Sequence, residues 1–298
     1  MLTFLNKKGY SQGIIFLMLM MLVSCMNDVI VKHLGERLHT VELIFFRFFF
    51  SLFILLPIVF QYGSKAFKTA HPLYNILRGV LGVVSFYLYT YSLVSLQLVE
   101  VVTILWSVPL FVLVFAFFFL KERVSRLRWI ATIVGFTGLS IVSIYGNGAS
   151  FSFQFVYVFA IISAMLFAAQ DVLIKKMVAT EKRITMLLYF SIVTTCLTFV
   201  PALCTWKTPT LFELTMLVFC GLFANLIQYF LFKAFEATDL SALAPFKYIE
   251  FLLSAVMGFI FFAEVPGVNA IFGAAILIPS TLYLVYSENK KSKNKNFA

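Results

Sequence analysis

Charged side chains are scarce in this 298-residue chain. Asp, Glu, Lys and Arg make up 12% of it, whereas soluble globular domains carry about 25%. Hydrophobic residues make up 62%, and the mean hydropathy is +0.98. So few charges argue against a water-soluble fold, and the composition favours an integral membrane protein with no separate soluble domain.

Cysteine and histidine are scarce too. The cysteines lie in apolar segments without a pairing pattern, and no Cys or His spacing suits a metal ion. No nucleophile and base surround the histidines, which lie at or near loop ends. We therefore expect no disulfide, metal, cofactor or catalytic residue, so an intramembrane enzyme is the weaker hypothesis. The residues concerned are Cys25, Cys196, Cys204, Cys220, His33, His39 and His71.

Long apolar runs are what the chain has in abundance. An α-helix needs about 20 residues to cross a bilayer, and ten runs of that length predict an all-α membrane protein with ten transmembrane helices. The first run follows Lys7 and Lys8 as in a signal peptide, but it lacks a cleavage pattern, so we interpret it as a retained span. The predicted spans are 13–33, 41–61, 74–95, 99–120, 127–146, 153–176, 184–206, 212–234, 240–262 and 268–287.

The net charge of +10 has two explanations, nucleic-acid binding and membrane orientation. With both termini cytoplasmic, most of the 23 Lys and Arg residues, Arg78 among them, fall on the cytoplasmic side. Basic residues concentrate on that side of membrane proteins. We therefore expect a multi-pass protein of the bacterial inner membrane, with both termini cytoplasmic and no nucleic-acid partner.

The two halves of the chain contain matching stretches. Asn27-Asp28-Val29 near the end of the first run matches Gln170-Asp171-Val172 near the end of the sixth, and Glu122 closes the fourth run as Glu264 closes the ninth. Because five runs are an odd number, the second copy crosses the membrane in the opposite sense. We expect two inverted five-helix repeats, 1–148 and 149–298 with a basic tail, an architecture typical of alternating-access carriers.

These patterns resemble the EamA-type members of the drug/metabolite transporter superfamily, in which a glutamate closes the fourth helix of each inverted repeat. More narrowly, five stretches are similar to the S-adenosylmethionine uptake transporters of intracellular bacteria, and the similarity runs over nearly the whole chain. The resemblance implies import of S-adenosylmethionine in exchange for S-adenosylhomocysteine. The stretches are 27–29 (NDV), 39–51 (HTVELIFFRFFFS), 76–79 (ILRG), 244–250 (APFKYIE) and 286–288 (YSE).

Two opposite charges lie within the ninth predicted span. Lys247 and Glu250 are three residues apart, so one helix face is expected to carry both, beside Tyr248. A charge at membrane depth costs about 2.5 to 3.5 kcal/mol, so a partner or a water-filled cavity is expected. One interpretation is a self-neutralising ion pair. The other is a substrate site in which Lys247 binds a carboxylate and Glu250 an ammonium or sulfonium, with Pro245 as a hinge.

Four further charged residues are candidates for gating or charge relay. Arg47 lies inside the second span, where it either reaches the outer surface or pairs with Asp28 or Glu42. Asp28 and Asp171 each precede a lysine by four residues near a helix end. Such pairs either anchor helix ends or gate the two faces of the membrane.

Polar and aromatic residues recur in the third, fourth and eighth spans. Ser85 and Tyr89 share a polar stripe with Arg78 in the third, Trp106 lies in the fourth, and Asn225 and Gln228 lie in the eighth. They are expected either to line a substrate cavity or to hold neighbouring helices together. In the cavity interpretation, Trp106 and Tyr89 stack on an adenine ring or face a sulfonium.

The leading hypothesis is therefore a carrier of a small molecule, embedded in the lipid bilayer. The resemblance favours S-adenosylmethionine uptake. The alternative is an exporter of amino acids, drugs or other small metabolites on the same fold. A channel or a structural membrane protein fits the inverted repeat and the charges within spans less well.

Overall fold

The computed structural model describes residues 9–95, 104–146 and 155–262. Within these ranges all regular secondary structure is helical, as predicted. The predicted tenth span, the start of the fourth and Glu264 lie outside the described residues.

Long helices lie close to the predicted runs. Among the described residues, five of them (α1, α2 with its 3-10 extension Gly63–Ala66, α6, α7 and α8) are long and apolar enough to cross a membrane, and α4 is a shorter apolar helix. The helices are α1 Tyr10–Gly35, α2 Thr40–Tyr62, α3 Pro72–Ser95, α4 Val108–Leu120, α5 Arg126–Gly146, α6 Val156–Met177, α7 Arg183–Cys204 and α8 Leu211–Ala237.

The ninth predicted span is broken around Pro245, the proline that was predicted to act as a hinge. It consists of a short helix α9 (Leu240–Leu243), a 3-10 turn (Ala244–Tyr248) and α10 (Ile249–Phe262). Pro245 lies in the first turn of the 3-10 segment, where its missing N–H and fixed φ favour a break in the α-helical ladder. The fourth predicted span is interrupted as well, because Trp106 and Ser107 form a turn before α4.

Helix packing is paired between the two halves. Helix α1 packs on α8 as α6 packs on α3, and α2 packs on α8 as α7 packs on α3. Likewise α4 packs on α6 as α10 packs on α1, while α2 and α7 pack on each other. Exchanging the first five predicted spans for the second five therefore reproduces the main contacts.

Polar contacts define one end of the bundle, called the Arg37 end. Arg37 Nε lies 2.6 Å from Glu213 Oε1, and this hydrogen bond raises the pKa of Arg37 above its ordinary value. The backbone amide of Lys207 donates to Glu42 at 2.6 Å. These contacts join the loop between α1 and α2 to the loop between α7 and α8.

The opposite end, called the Arg183 end, joins different loops. Arg183 Nε lies 2.7 Å from Glu236 Oε1 near the end of α8, and Glu181 accepts from the His71 amide at 2.8 Å. Gly13 in α1 meets Thr238 just after α8. Hence α1, α3 and α7 begin at this end, whereas α2, α6 and α8 begin at the Arg37 end. Corresponding helices of the two halves run in opposite senses.

Gly221 marks the closest approach of α2 and α8. A Cβ atom at this position would lie 2.8 Å from Ser51 N and 2.9 Å from the Phe50 carbonyl carbon, and backbone atoms cannot turn aside. Small residues permit this kind of contact between membrane helices.

We expect Gly221→Ala to destabilise the protein by about 1–3 kcal/mol, because the two backbones must separate. Thermal unfolding of the protein in detergent measures the effect as a lower Tm. Gly35→Ala is the matched control, since its Cβ would meet only Leu43 Cδ1 at 4.0 Å. Equal Tm values for the two variants would contradict the close packing at Gly221.

Candidate functional site

Lys247 and Asp171 form an ion pair between the 3-10 turn and α6. Lys247 Nζ donates to Asp171 Oδ2, and the two side chains are 16% and 10% exposed. Lys247 lies in the turn and Glu250 in the first turn of α10, and the charge of Lys247 acts on Glu250. Among the described residues, however, the ion pair of Lys247 is with Asp171 of α6, and Glu250 lies against α1, so the two do not form a self-neutralising pair.

Glu250 lies against α1, where the carboxylate of Asp28 acts on it electrostatically. The Ser24 side chain hydrogen-bonds the Glu250 carboxylate, and Cys25 Sγ lies 3.9 Å from its carbonyl oxygen. Asp28, one turn further along α1, acts electrostatically on Glu250. Asp28 is an exposed residue, although charged or polar groups on α2, α3 and α10 interact with it.

Arg47 supplies the positive charge beside these carboxylates. Its guanidinium lies 5.6 Å from the Phe48 ring centre and 5.9 Å from that of Phe86, and Asp28 acts on it electrostatically. Arg47 Nε is buried and has no hydrogen-bond partner within the described residues. Of the two predicted partners, Asp28 interacts with Arg47. Glu42 is used elsewhere.

Glu42 caps a helix. Its Oε2 accepts from the His39 amide at 3.2 Å in a capping box at the start of α2, and its Oε1 accepts from Lys207. A buried carboxylate with two amide donors and a helix N-terminus is held in place. The structure thus gives Glu42 a structural role in place of the predicted charge relay.

The charge cluster, defined as Asp28, Arg47 and Glu250, has one excess negative charge when all three groups are ionised. The neighbouring Lys247–Asp171 pair is neutral as a unit. A site of this kind favours a ligand with one excess positive charge, and Lys247 offers a partner for a ligand carboxylate.

The predicted aromatic residues lie around these charges. Tyr248 is 1% exposed and packs with Trp106 and Phe136, and its hydroxyl has no hydrogen-bond partner in the part of the chain that is described. Tyr89 packs against Phe167 at 6.5 Å between ring centres, and the charges of Asp28 and Glu250 act on it. Tyr89 therefore lies beside the charge cluster, and Trp106 lies against the 3-10 turn.

Two of the predicted cavity residues hold helices together. Ser85 is fully buried, accepts from Gln170 Nε2 at 2.9 Å and donates to the Gly82 carbonyl. Asn225 accepts from Ser51 Oγ at 2.8 Å and donates to the Ser51 carbonyl. Their hydrogen bonds join α3 to α6 and α2 to α8, which favours the second of the two interpretations, side chains that hold neighbouring helices together.

Gln228 binds Arg78 of the polar stripe in α3. Arg78 is fully buried, and its Nη2 lies 2.7 Å from Gln228 Oε1. Arg78 thus faces a neighbouring helix, as the stripe predicted. Gln228 is partly exposed and pairs with Arg78.

Asp171 and the lysine after it also have separate partners. Lys175 Nζ donates to the carbonyls of Phe235 and Thr238 near the end of α8, whereas Asp171 accepts from Lys247. Lys175 therefore anchors α6 to α8. The side chain of Lys32, which follows Asp28, lies outside the described residues.

Glu122 fastens the start of the broken span. Its two oxygens accept from the amides of Leu240 and Ser241 at 3.0 and 2.9 Å. Lys121, at the end of α4, has a left-handed φ of 54° and turns the chain so that Glu122 reaches α9. Arg128 adds a 2.9 Å hydrogen bond to Ser241 Oγ. The α9 segment is thus attached to α4 and α5 at the Arg183 end.

A model described as the EamA-like transporter family matches residues 11–144 and again residues 154–286. The chain belongs to the EamA-like transporter family. The double match means that this EamA-like transporter contains two copies of the family domain. It is a membrane transporter and not an enzyme, as the resemblance implied.

Relatives of this EamA-like transporter cover nearly its whole length. It is 41% identical over 288 residues to the S-adenosylmethionine uptake transporter of Rickettsia bellii, which covers 97% of this chain and 98% of that one. It is 27% identical over 282 residues to the pseudopaline exporter of Pseudomonas aeruginosa, covering 94% and 97%. A solved structure with 15% identity matches with a TM-score of 0.80 over 94% of this chain and 98% of its own, a likeness of fold.

Proposed function

We propose that this transporter imports S-adenosylmethionine across a bacterial inner membrane, in exchange for S-adenosylhomocysteine. The observation that carries the proposal is the full-length 41% identity to the S-adenosylmethionine uptake transporter of Rickettsia bellii. S-adenosylmethionine bears a carboxylate, an ammonium and a sulfonium group, so its net charge is positive. The excess negative charge of the charge cluster complements it.

Each charged group of the ligand has a partner in the proposed site. Lys247 binds the carboxylate, while Glu250 and Asp28 face the ammonium and the sulfonium. Arg47 keeps the two carboxylates from repelling each other when the ligand is absent. The rings of Tyr89, Trp106 and Tyr248 offer stacking surfaces for the adenine and cation–π contacts for the sulfonium. The proposed binding residues are Asp28, Tyr89, Trp106, Gln228, Lys247, Tyr248 and Glu250.

Transport proceeds by alternating access between two inverted five-helix repeats, 1–148 and 149–298, with ten spans in all. The opposite senses of corresponding helices and the paired contacts, α1 on α8 and α6 on α3, support this architecture. The Arg183 end faces the cytoplasm together with both termini, because basic residues such as Lys121, Lys182 and Arg183 lie there.

Uptake of labelled S-adenosylmethionine into cells that have no importer of their own tests the function. We expect uptake above an empty-vector control with matched membrane protein, and faster uptake into vesicles preloaded with S-adenosylhomocysteine. Absence of uptake with the protein present in the membrane would reject the substrate. Equal uptake rates in vesicles with and without S-adenosylhomocysteine inside would contradict the exchange.

The second candidate is an exporter of another small metabolite. The full-length likeness to the pseudopaline exporter of Pseudomonas aeruginosa favours it. The same vesicles distinguish the two functions, because an exporter releases a preloaded metabolite without any requirement for external S-adenosylmethionine.

A further inference from the structure

Arg78 is a buried cation without a carboxylate at ion-pair distance. It is 0% exposed, and within the described residues no carboxylate lies within 4.0 Å of it. Its Nη1 donates to the Met186 carbonyl at 3.1 Å and its Nη2 to Gln228. The rings of Phe190 and Phe232 lie 4.3 and 5.0 Å from the guanidinium. Contacts from α7 and α8 therefore fix its position.

The carboxylate that acts electrostatically on Arg78 is Asp171. Asp171 also forms the ion pair with Lys247. The Asp171 carboxylate thus interacts with two cations. Arg78 is held within the helix bundle, and Lys247 lies in the 3-10 turn of the broken span. A buried charge without a partner is destabilising. Because Arg78 also interacts with Asp171, Lys247 can separate from Asp171 without leaving that carboxylate uncompensated.

We propose that Asp171 is a resident carboxylate that occupies Lys247 until the carboxylate of the substrate displaces it, while Arg78 retains Asp171. The inference rests on the proposed function for the identity of the substrate. Before binding, the ion pair holds the 3-10 turn against α6. A ligand carboxylate takes over Lys247 and frees the turn to move, whereas a ligand without one leaves the turn fixed. Asp171 and Arg78 therefore determine specificity for carboxylate-bearing substrates.

Asp171→Asn separates this role from a structural one. The variant has no resident competitor for Lys247, so we expect KM for S-adenosylmethionine to fall about threefold or more. Vmax should fall as well, because Lys247 has no partner to return to when the ligand leaves. Uptake into proteoliposomes with quantified protein gives both constants. A merely structural defect lowers Vmax without tightening binding.

Arg78→Gln is expected to shift KM in the opposite direction. Without Arg78, Asp171 has Lys247 as its main partner and resists displacement, so KM should rise about threefold or more. Arg78→Lys retains the charge but loses part of the guanidinium contacts, so its KM should lie between those of the wild type and Arg78→Gln. Should Arg78→Gln fail to fold, Asp171→Asn and the chemical modification of Lys247 still decide the matter. Equal KM values for the wild type and Asp171→Asn would overturn the inference.

Chemical modification of Lys247 tests the resident pair without transport. Methyl acetimidate reacts with a free amine, and mass spectrometry of the purified protein follows the Lys247 peptide. We expect the reaction to be several-fold faster in Asp171→Asn than in the wild type. An unchanged rate would overturn the inference, whether or not S-adenosylmethionine is transported. Absence of wild-type uptake together with the faster reaction would reject the substrate and keep the Lys247–Asp171 pair.

Discussion

Replacing Lys247 with methionine is expected to reduce S-adenosylmethionine uptake about 100-fold, which corresponds to about 2.8 kcal/mol at 1.4 kcal/mol per tenfold. The substrate carboxylate then has no cation at the 3-10 turn. The protein should remain folded, because Arg78 still compensates Asp171. Vmax/KM in proteoliposomes and Tm in detergent measure the two effects.

Lys233→Met is the control for Lys247→Met. Lys233 also lies within a membrane helix, but its Nζ lies over the rings of Phe16 and Tyr229, at 5.2 and 5.6 Å, near the Arg183 end. Uptake by this variant should be close to that of the wild type. A similar loss in both variants would mean that replacing any lysine within a membrane helix reduces uptake. Wild-type uptake by Lys247→Met would remove Lys247 from the site.

Glu250→Gln is expected to have a comparable effect on cationic substrate, a loss of about 100-fold in Vmax/KM. The change keeps the size of the side chain and the hydrogen bond with Ser24 but removes one negative charge. Asp28 and Arg47 then neutralise each other, so the site no longer attracts a cation. Inhibition of uptake by S-adenosylhomocysteine, which lacks the sulfonium charge, should weaken less than S-adenosylmethionine binding.

Glu236→Gln is the matched control for Glu250→Gln, since Glu236 pairs with Arg183 at the end of α8. Its uptake should stay near that of the wild type. Partial recovery in Glu250→Asp would indicate that the charge itself acts on the ligand. Equal losses of S-adenosylmethionine and S-adenosylhomocysteine binding in Glu250→Gln would instead point to a general disturbance of α10.

Hydropathy and local residue choice predicted the helices well, because a membrane span is determined by its own apolar length. The limits of α2, α5 and α7 fall within a few residues of the predicted ones. The break around Pro245 was expected only as a hinge. A 3-10 turn also depends on how α4, α5 and α1 pack around it, which no local pattern contains.

The candidate site was predicted in part. Lys247, Glu250, Asp28 and Arg47 were identified because a charge is costly in an apolar run. Asp28 was one of two predicted partners of Arg47 and interacts with it. The pairing of Lys247 with Asp171 was not predicted, since the two are 76 residues apart in sequence. For Ser85 and Asn225 the sequence allowed either a cavity or a contact between helices, and only their hydrogen bonds show that they join helices.

The sequence by itself determined that this protein crosses the membrane many times and that Arg47, Lys247 and Glu250 lie at depth. Both follow from the local cost of placing polar groups in lipid. Only the tertiary structure decided which charge faces which. In the structure Lys247 pairs with Asp171, Glu250 lies against α1, and Arg78 binds Gln228. The partners lie on helices that are far apart in sequence, so only the packing of the helices brings them together.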